Sequence, residues 1–217
     1  MGTFKRLVTK KMKTLDFIRK LETFNRDYFT VADLEKITGL SRPSLKMALS
    51  RFISQGVLIR LKRGVYALAD ASLNIEKVAN QLYYPSYLSF ESALSNYGIL
   101  SQFPYVQTFA TTKQTKRLTL GQTEIEFRQL KKELYFGYVM KNEINIAEPE
   151  KALLDQLYMV SRGKAMLNIQ ELDLRKIKKS ILNEYAKHFP EATQKLVREM
   201  KPLIGTGAVT LETRERI

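Results

Sequence analysis

Between Arg42 and Arg51 the chain reads RPSLKMALSR, a stretch with three cations and no acid. Wound as a helix at about 100° per residue, it separates two faces. Leu45, Ala48, Leu49, Phe52 and Ile53 gather on one side, the side expected to face a core. Pro43, Met47, Ser50 and Ser54 hold the other, flanked by Ser44, Lys46 and Arg51. A solvated face usually mixes both signs of charge, whereas a face that enters a nucleic-acid groove cannot hold carboxylates near phosphates. Arg42, Ser44 and Lys46 fall in the first turns, the part of a recognition helix that reaches base edges. An arginine there can hold guanine through two hydrogen bonds, and Ser44 and Ser50 can bond bases or phosphates. The bland alternative is a three-helix bundle with a basic surface. A second cluster follows, Arg60, Lys62 and Arg63 ahead of Gly64. At a hairpin tip these side chains would meet a phosphate backbone or the adjacent minor groove, or simply solvate a turn.

Other chemistries find little support. There is no cysteine, so disulfides, thiolate zinc sites and cysteine nucleophiles are excluded. His188 is the only histidine, which argues against histidine triads and multi-histidine metal sites. It reads as a partly exposed residue at a helix end. TEIEFRQLKK offers carboxylates and lysines as a metal-dependent nuclease would, but alternating charge on a two-sided strand is the commoner meaning. No phosphate-binding glycine loop occurs. No enzyme, no catalytic residue, no metal and no cofactor is therefore expected.

The charge is uneven. The formal net charge is +14, from 36 basic and 22 acidic residues, and residues 1–70 hold fifteen of the basic and six of the acidic ones. That asymmetry suits a polyanionic partner for the first third of the chain. Basic runs farther on (Lys113, Lys116, Arg117; Arg128, Lys131, Lys132; Arg175, Lys176, Lys178, Lys179) read as solvated faces first and as an auxiliary DNA contact second. No apolar run approaches the roughly 18 residues of a membrane span, and MGTFKRLVTKK lacks the apolar core of a signal peptide. A soluble, cytoplasmic protein is expected.

The elements that must position the basic residues can be read around them. Residues up to about 11 suggest a mobile arm. TLDFIRKLETF has helical spacing, with Leu15, Ile18 and Leu21 inward, Phe17 and Phe24 as further candidates, and Thr14 as cap. Thr30 opens VADLEKIT and forms a capping box with Asp33; Gly39 ends it. Ser41 caps the basic helix, Pro43 sits in its first turn and Gly56 closes it. After Gly56 the period becomes two, VLIRL then VYAL, a hairpin turning at Gly64. Helix, helix, tight turn, helix, hairpin is the order of a winged helix-turn-helix, here spanning about 12–69.

A polar joint at Asp70–Leu73 opens the second region. NIEKVANQLYYP and SFESALSNYGIL read as short helices, the second capped by Ser89 and ended by Gly98. YVQTFATT, RLTL, TEIEFRQL, YFGYVM and EINIA read as strands, with turns at Gly121 and Lys141-Asn142. Pro149 begins a strong helix, PEKALLDQLYMV, with Glu148 and Glu150 at its positive end. Ala152, Leu153, Leu157 and Tyr158 keep helical spacing, and Glu150 and Lys151 read as its exposed start. Helices at about 172–188 and 190–201 follow, with a looser tail past Pro202.

SYLSFESALSNYGIL, the strand containing FATT, FGYV and IAEPEKALLDQLYM, together with the winged helix ahead of them, resemble AbiEi-type antitoxins over roughly residues 12–190. The most specific segment is IAEPEKALLDQLY; residues after Pro190 match the pattern poorly. The resemblance implies a winged helix that represses its own promoter by binding operator repeats in double-stranded DNA. It also implies a second domain that counters a nucleotidyltransferase-like toxin, as in type IV toxin–antitoxin pairs of abortive infection. Carried onto this chain, it places Arg42, Ser44, Lys46 and Arg51 on the recognition helix and Arg60, Lys62 and Arg63 on the wing. The expected protein is α+β. A winged helix-turn-helix occupies 1–70, and 71–217 form a mixed α/β domain with a small, mainly antiparallel sheet and C-terminal helices. A plain regulator whose second domain binds a small effector is the alternative.

Overall fold

The structure, a computed structural model, describes residues 12–69 and 73–205. The expected arm, most of the joint at Asp70–Leu73 and the end of the tail lie outside them. The chain divides between Asn74 and Ile75 into two compact units.

The first unit has the expected order, with one additional strand. Helices α1 (Thr14–Glu22), α2 (Val31–Thr38) and α3 (Arg42–Ser54) precede a hairpin of β2 (Leu58–Lys62) and β3 (Val65–Leu68). Strand β1 (Phe29–Thr30) pairs with β3, giving the sheet order β1-β3-β2. Two residues are too few to show a period, so β1 left no sequence signal.

The core of this unit forms around Phe17, Leu21, Phe29, Leu34, Leu45, Leu49, Phe52 and Leu58. The rings of Phe17 and Phe52 stack at 4.1 Å, an aromatic pair worth about 0.5–1.5 kcal/mol beyond the area it buries. Several expectations need correction here. The inward seam of α1 is Phe17 and Leu21, one turn apart, while Leu15 and Phe24 are exposed and the helix stops at Glu22. Thr14 is the first helical residue rather than its cap, and its hydroxyl donates to Gln55 Oε1 across the unit. Ser41 does occupy the cap position of α3, yet its hydroxyl donates to Ser44 Oγ and caps nothing. Ile53, expected inside, is exposed.

The capping box at α2 is present. Asp33 N–H donates to Thr30 Oγ1 at 3.2 Å, and Thr30 N–H donates to Asp33 Oδ2 at 2.8 Å. Burial pushes the Asp33 carboxyl up, but the Thr30 hydrogen bonds and the charges of Arg26 and Lys36 outweigh it and hold the group below its usual value. Gly39 then closes α2 at φ +66°, a left-handed conformation that glycine adopts without strain. That closure turns the chain sharply into α3.

The second unit is a six-stranded mixed sheet with helices. Its strands are β4 (Ser86–Leu88), β5 (Val106–Thr111), β6 (Lys116–Leu120), β7 (Thr123–Gln129), β8 (Tyr138–Lys141) and β9 (Ile144–Ala147), in the order β6-β7-β5-β4-β9-β8. The hairpins β6–β7 and β8–β9 and the pair β4–β5 are antiparallel; β5–β7 and β4–β9 are parallel. Helices α4 (Ile75–Leu82), α5 (Phe90–Asn96), α6 (Pro149–Ser161), α7 (Lys179–Ala186) and α8 (Glu191–Met200) complete it. Central β4 was hidden between two helical patterns because all three of its residues are buried and none alternates.

The helix expected at 172–188 is shorter and begins at Lys179. Asp173 accepts from Arg175 N–H and sets a 3-10 turn at Leu174–Lys176, while the Glu150 carboxylate takes the Lys178 N–H at 2.7 Å. Side chains thus capture the backbone donors that a helix would have used. Among the described residues, no helix is long and apolar enough to cross a membrane.

Candidate nucleic-acid interface

Helix α3 and the β2–β3 hairpin enclose a cleft in the first unit. Its lining includes Arg42, Lys46 and Ser50 from the helix, and Arg60, Arg63 and Gly64 from the hairpin. Val31, Leu45, Leu49, Ile53 and Tyr66 form its floor and sides, and no acid lines it. The helix side follows from α3 burying Leu45, Ala48, Leu49 and Phe52, which leaves Lys46, Met47 and Ser50 in solvent. Register sets the wing side. Arg60 stands opposite Tyr66, a register shift lies between Arg60 and Lys62, and Gly64 turns the chain at φ +81°. The Val31 N–H donates to the Gly64 carbonyl at 3.1 Å, tying the turn to the start of α2.

The nine residues singled out in the sequence part into two groups. The cleft brings together Arg42, Lys46, Ser50, Arg60 and Arg63. Ser44, Met47, Arg51 and Lys62 stand outside its lining. Met47 is exposed on the outer face. Ser44 is half-buried and accepts the Ser41 hydroxyl. Lys62 is half-buried at the end of β2.

Arg51 turns the other way. It donates to the Met12 carbonyl at 2.8 Å, lies 4.8 Å from the centre of the Phe52 ring, and its buried Nε has no partner among the described residues. Its guanidinium therefore joins the start of α1 to α3. Arg42 is exposed and forms an ion pair with Glu35 at 3.2 Å, an interaction of small worth in water that a phosphate could replace. Lys46, in the second turn, is exposed and has no counter-ion among the described residues. Tyr66 and Val31 carry no charge to mark them in the sequence; the available signal for Tyr66 is its place across the hairpin from Arg60.

Residues 16–69 match the family model described as "Transcriptional regulator, AbiEi antitoxin". The match begins inside α1, ends one residue past β3, and so covers the helix–wing cleft. It bears out, for this stretch, the AbiEi resemblance read from the sequence. No curated protein matches the chain.

The segment most specific to the AbiEi resemblance, IAEPEKALLDQLY, lies in the second unit, beyond the match. It forms β9 and α6, and its charged residues overturn an expectation. Glu150 and Lys151 are not an exposed helix start; they are 3% and 0% exposed, and Asp155 is fully buried. Lys151 Nζ donates to Asp155 Oδ1 and to Tyr87 Oη, and Tyr87 and Ser89 donate to Asp155 Oδ2 at 3.0 and 2.8 Å. Ser89, expected as the cap of α5, spends its hydroxyl on this network. The ammonium also lies 5.2–5.3 Å from the Phe136, Phe189 and Tyr87 ring centres.

Burial pulls the Lys151 ammonium down and pushes the Asp155 carboxyl up, each partly offset by the other's charge. Gly137 lies against this lysine. A Cβ built there would come within 3.1–3.2 Å of three Lys151 side-chain carbons, and φ is +68°. The network has no open face through which a substrate could enter, and it fixes α6 to β4. His188 sits exposed beyond α7, 5.0 Å from the Phe136 ring.

Proposed function

We propose that the protein is a DNA-binding transcriptional autoregulator and the antitoxin of a type IV toxin–antitoxin pair, opposing a nucleotidyltransferase-like toxin. The observation that carries the DNA half is the shared, acid-free cationic cleft between α3 and the hairpin, inside the stretch that matches the AbiEi regulator model. A helix of this kind enters the major groove with its first turns toward the bases. Arg42, Ser44, Lys46, Met47 and Ser50 then face bases or phosphates, and Arg60, Lys62 and Arg63 meet the adjoining backbone. Arg51 supports that face from behind.

The second unit acts by binding rather than catalysis in this reading. Its most distinctive charged network is sealed in the core, where it organises the fold. In this reading the protein works in the cytoplasm, on its own promoter. Abortive infection, and with it defence against viruses, is the setting that the AbiEi resemblance implies.

Two measurements test the halves separately. A reporter under the protein's own promoter should be repressed by the wild-type chain and released by Lys46→Ala. Co-expression with a nucleotidyltransferase encoded alongside should restore growth that the toxin alone arrests. Repression without rescue would leave a plain regulator with an effector-binding second unit, a reading that a basic pocket in that unit supports.

A further inference from the structure

The second unit contains a concavity of about 510 Å³, separate from the helix–wing cleft. Strands β6 and β7 and the turn after them form one wall, with Arg117, Glu126, Arg128 and Lys131. The end of α6 and its following loop form the other, with Arg162 and Lys164. Five cations thus converge from elements far apart in sequence, against one acid. Residues of two basic runs that sequence alone reads as separate, Arg117 and then Arg128 with Lys131, line one concavity.

The pocket is built rather than merely basic. Arg117 and Glu126 are cross-strand partners in register, and Arg128 lies on the same strand face as Glu126. Glu126 Oε1 accepts from Arg117 Nε at 2.9 Å and lies 2.8 Å from its Nη2; Oε2 accepts from Arg128 Nε at 2.9 Å. Arg128 also donates to Glu91 at 2.7 Å. Burial pushes the Glu126 carboxyl up, but its two arginines outweigh this and hold it below the usual value, so it remains a fixed anion. Both guanidinium forks are therefore held in place while keeping N–H groups to spare. Arg162 donates to the Tyr158 hydroxyl at 2.7 Å, and among the described residues no carboxylate pairs with it or with Lys164.

We propose that this pocket binds a small phosphorylated ligand, with its phosphate oxygens among Arg117, Lys131, Arg162 and Lys164. Glu126 and Glu91 compensate Arg117 and Arg128, and Glu133 lies 3.8 Å from Lys131; a phosphate matches the charge left on Arg162 and Lys164 and takes arginine forks two bonds at a time. The volume falls within the roughly 300–1,000 Å³ typical of small-molecule sites. The cations surround a hollow whose lining includes the buried Leu130 and Met159, so an apolar part of a small molecule finds contact beside its phosphate. The proposal is independent of the DNA reading of the first unit.

The test uses the full chain and calorimetric titration with inorganic phosphate, pyrophosphate, adenosine 5′-triphosphate, guanosine 5′-triphosphate and a short scrambled DNA duplex. The comparison protein carries Arg162→Gln and Lys164→Gln, both exposed positions, with circular dichroism establishing that it is folded at the titration temperature. At least one small phosphate should bind the wild type and weaken about tenfold or more in the double variant, a loss of about 1.4 kcal/mol or more. Lys46→Ala should leave that binding unchanged. Binding of pyrophosphate or phosphate alone identifies a free oxyanion as the ligand, and preference for a triphosphate identifies a nucleotide. Absence of binding by every small phosphate, or equal binding by the double variant, overturns the proposal. So does a loss confined to the duplex, which would make these residues a backbone contact.

Discussion

Lys46 and Arg51 carry the same charge on one helix, yet the fold employs them differently. Lys46 projects into the cleft beside Ser50 and faces Arg60 and Arg63 across it. Arg51 is bound to the Met12 carbonyl and lies against Phe52. Lys46→Ala should cost about 1–3 kcal/mol of operator affinity if a base contact is lost, at unchanged folding stability. Arg51→Ala should instead lower the urea midpoint, by about 1–2 kcal/mol of stability for a lost charged hydrogen bond. If Arg51→Ala bound DNA weakly while unfolding like the wild type, Arg51 would belong to the DNA face after all. The same comparison of partners governs Lys151 and Asp155. Removing one member strands a buried charge, so Asp155→Leu should cost about 3–5 kcal/mol. Lys151→Met together with Asp155→Leu should cost less than the two singles added, since neither charge is then left alone. Additive losses in denaturant melts would mean the pair contributes nothing as a pair.

At the scale of elements, the start of α2 shows what local sequence can specify. Thr30, Asp33 and Gly39 close both ends of an eight-residue helix using groups within a few positions of one another. Thr30→Ala should therefore cost about 1 kcal/mol. Asp33 has a folded-state pKa below its unfolded value of 3.8. Its contribution is thus complete above that value and lost as the pH falls through the lowered one. Asp33→Asn should be less stable than the wild type near neutrality, with the gap closing below about pH 4. A gap that stayed constant in acid would show that the carboxylate charge is not what the cap uses. Legibility in the sequence followed the same division. Gly39, Gly56 and Gly64, the period of α3 and the switch to period two gave the winged helix, because each signal is local. Strands β1 and β4 are too short to show a period, and their partners lie far along the chain. Ser41 and Ser89 stand at cap positions, but tertiary partners took their hydroxyls. Lys151 looked like surface because a Lys–Asp pair four residues apart is usual on an exposed helix face, while Tyr87 and Ser89, which help enclose it, lie more than sixty positions away. In the candidate site, the cations were legible from composition and spacing, whereas Tyr66, Val31 and the inward turn of Arg51 depend on contacts between elements.

At the scale of the molecule, the excess positive charge and the helix–wing cleft coincide in the first unit, which also has its own hydrophobic core. DNA affinity should then be governed by that unit and be strongly dependent on salt, because each phosphate neutralised releases counterions. Arg60 and Arg63 are exposed at the wing and border the cleft. If both touch phosphates, replacing both with alanine should flatten the dependence of log affinity on log salt by about two units. The loss should be similar on operator and scrambled duplexes, since backbone contacts position a protein without reading sequence. A minor-groove arginine would behave differently, costing most where an A·T-rich groove is narrow. A fragment ending at Asn74 should keep the wild-type salt slope on scrambled DNA and fail to restore growth against the toxin. Isotherms at several salt concentrations decide the first point, and co-expression decides the second. An unchanged slope in the double wing variant would reduce the hairpin to a solvated turn. Rescue by the fragment would move the antitoxic activity into the winged helix itself, leaving the basic pocket as the feature of the second unit to account for what that unit does.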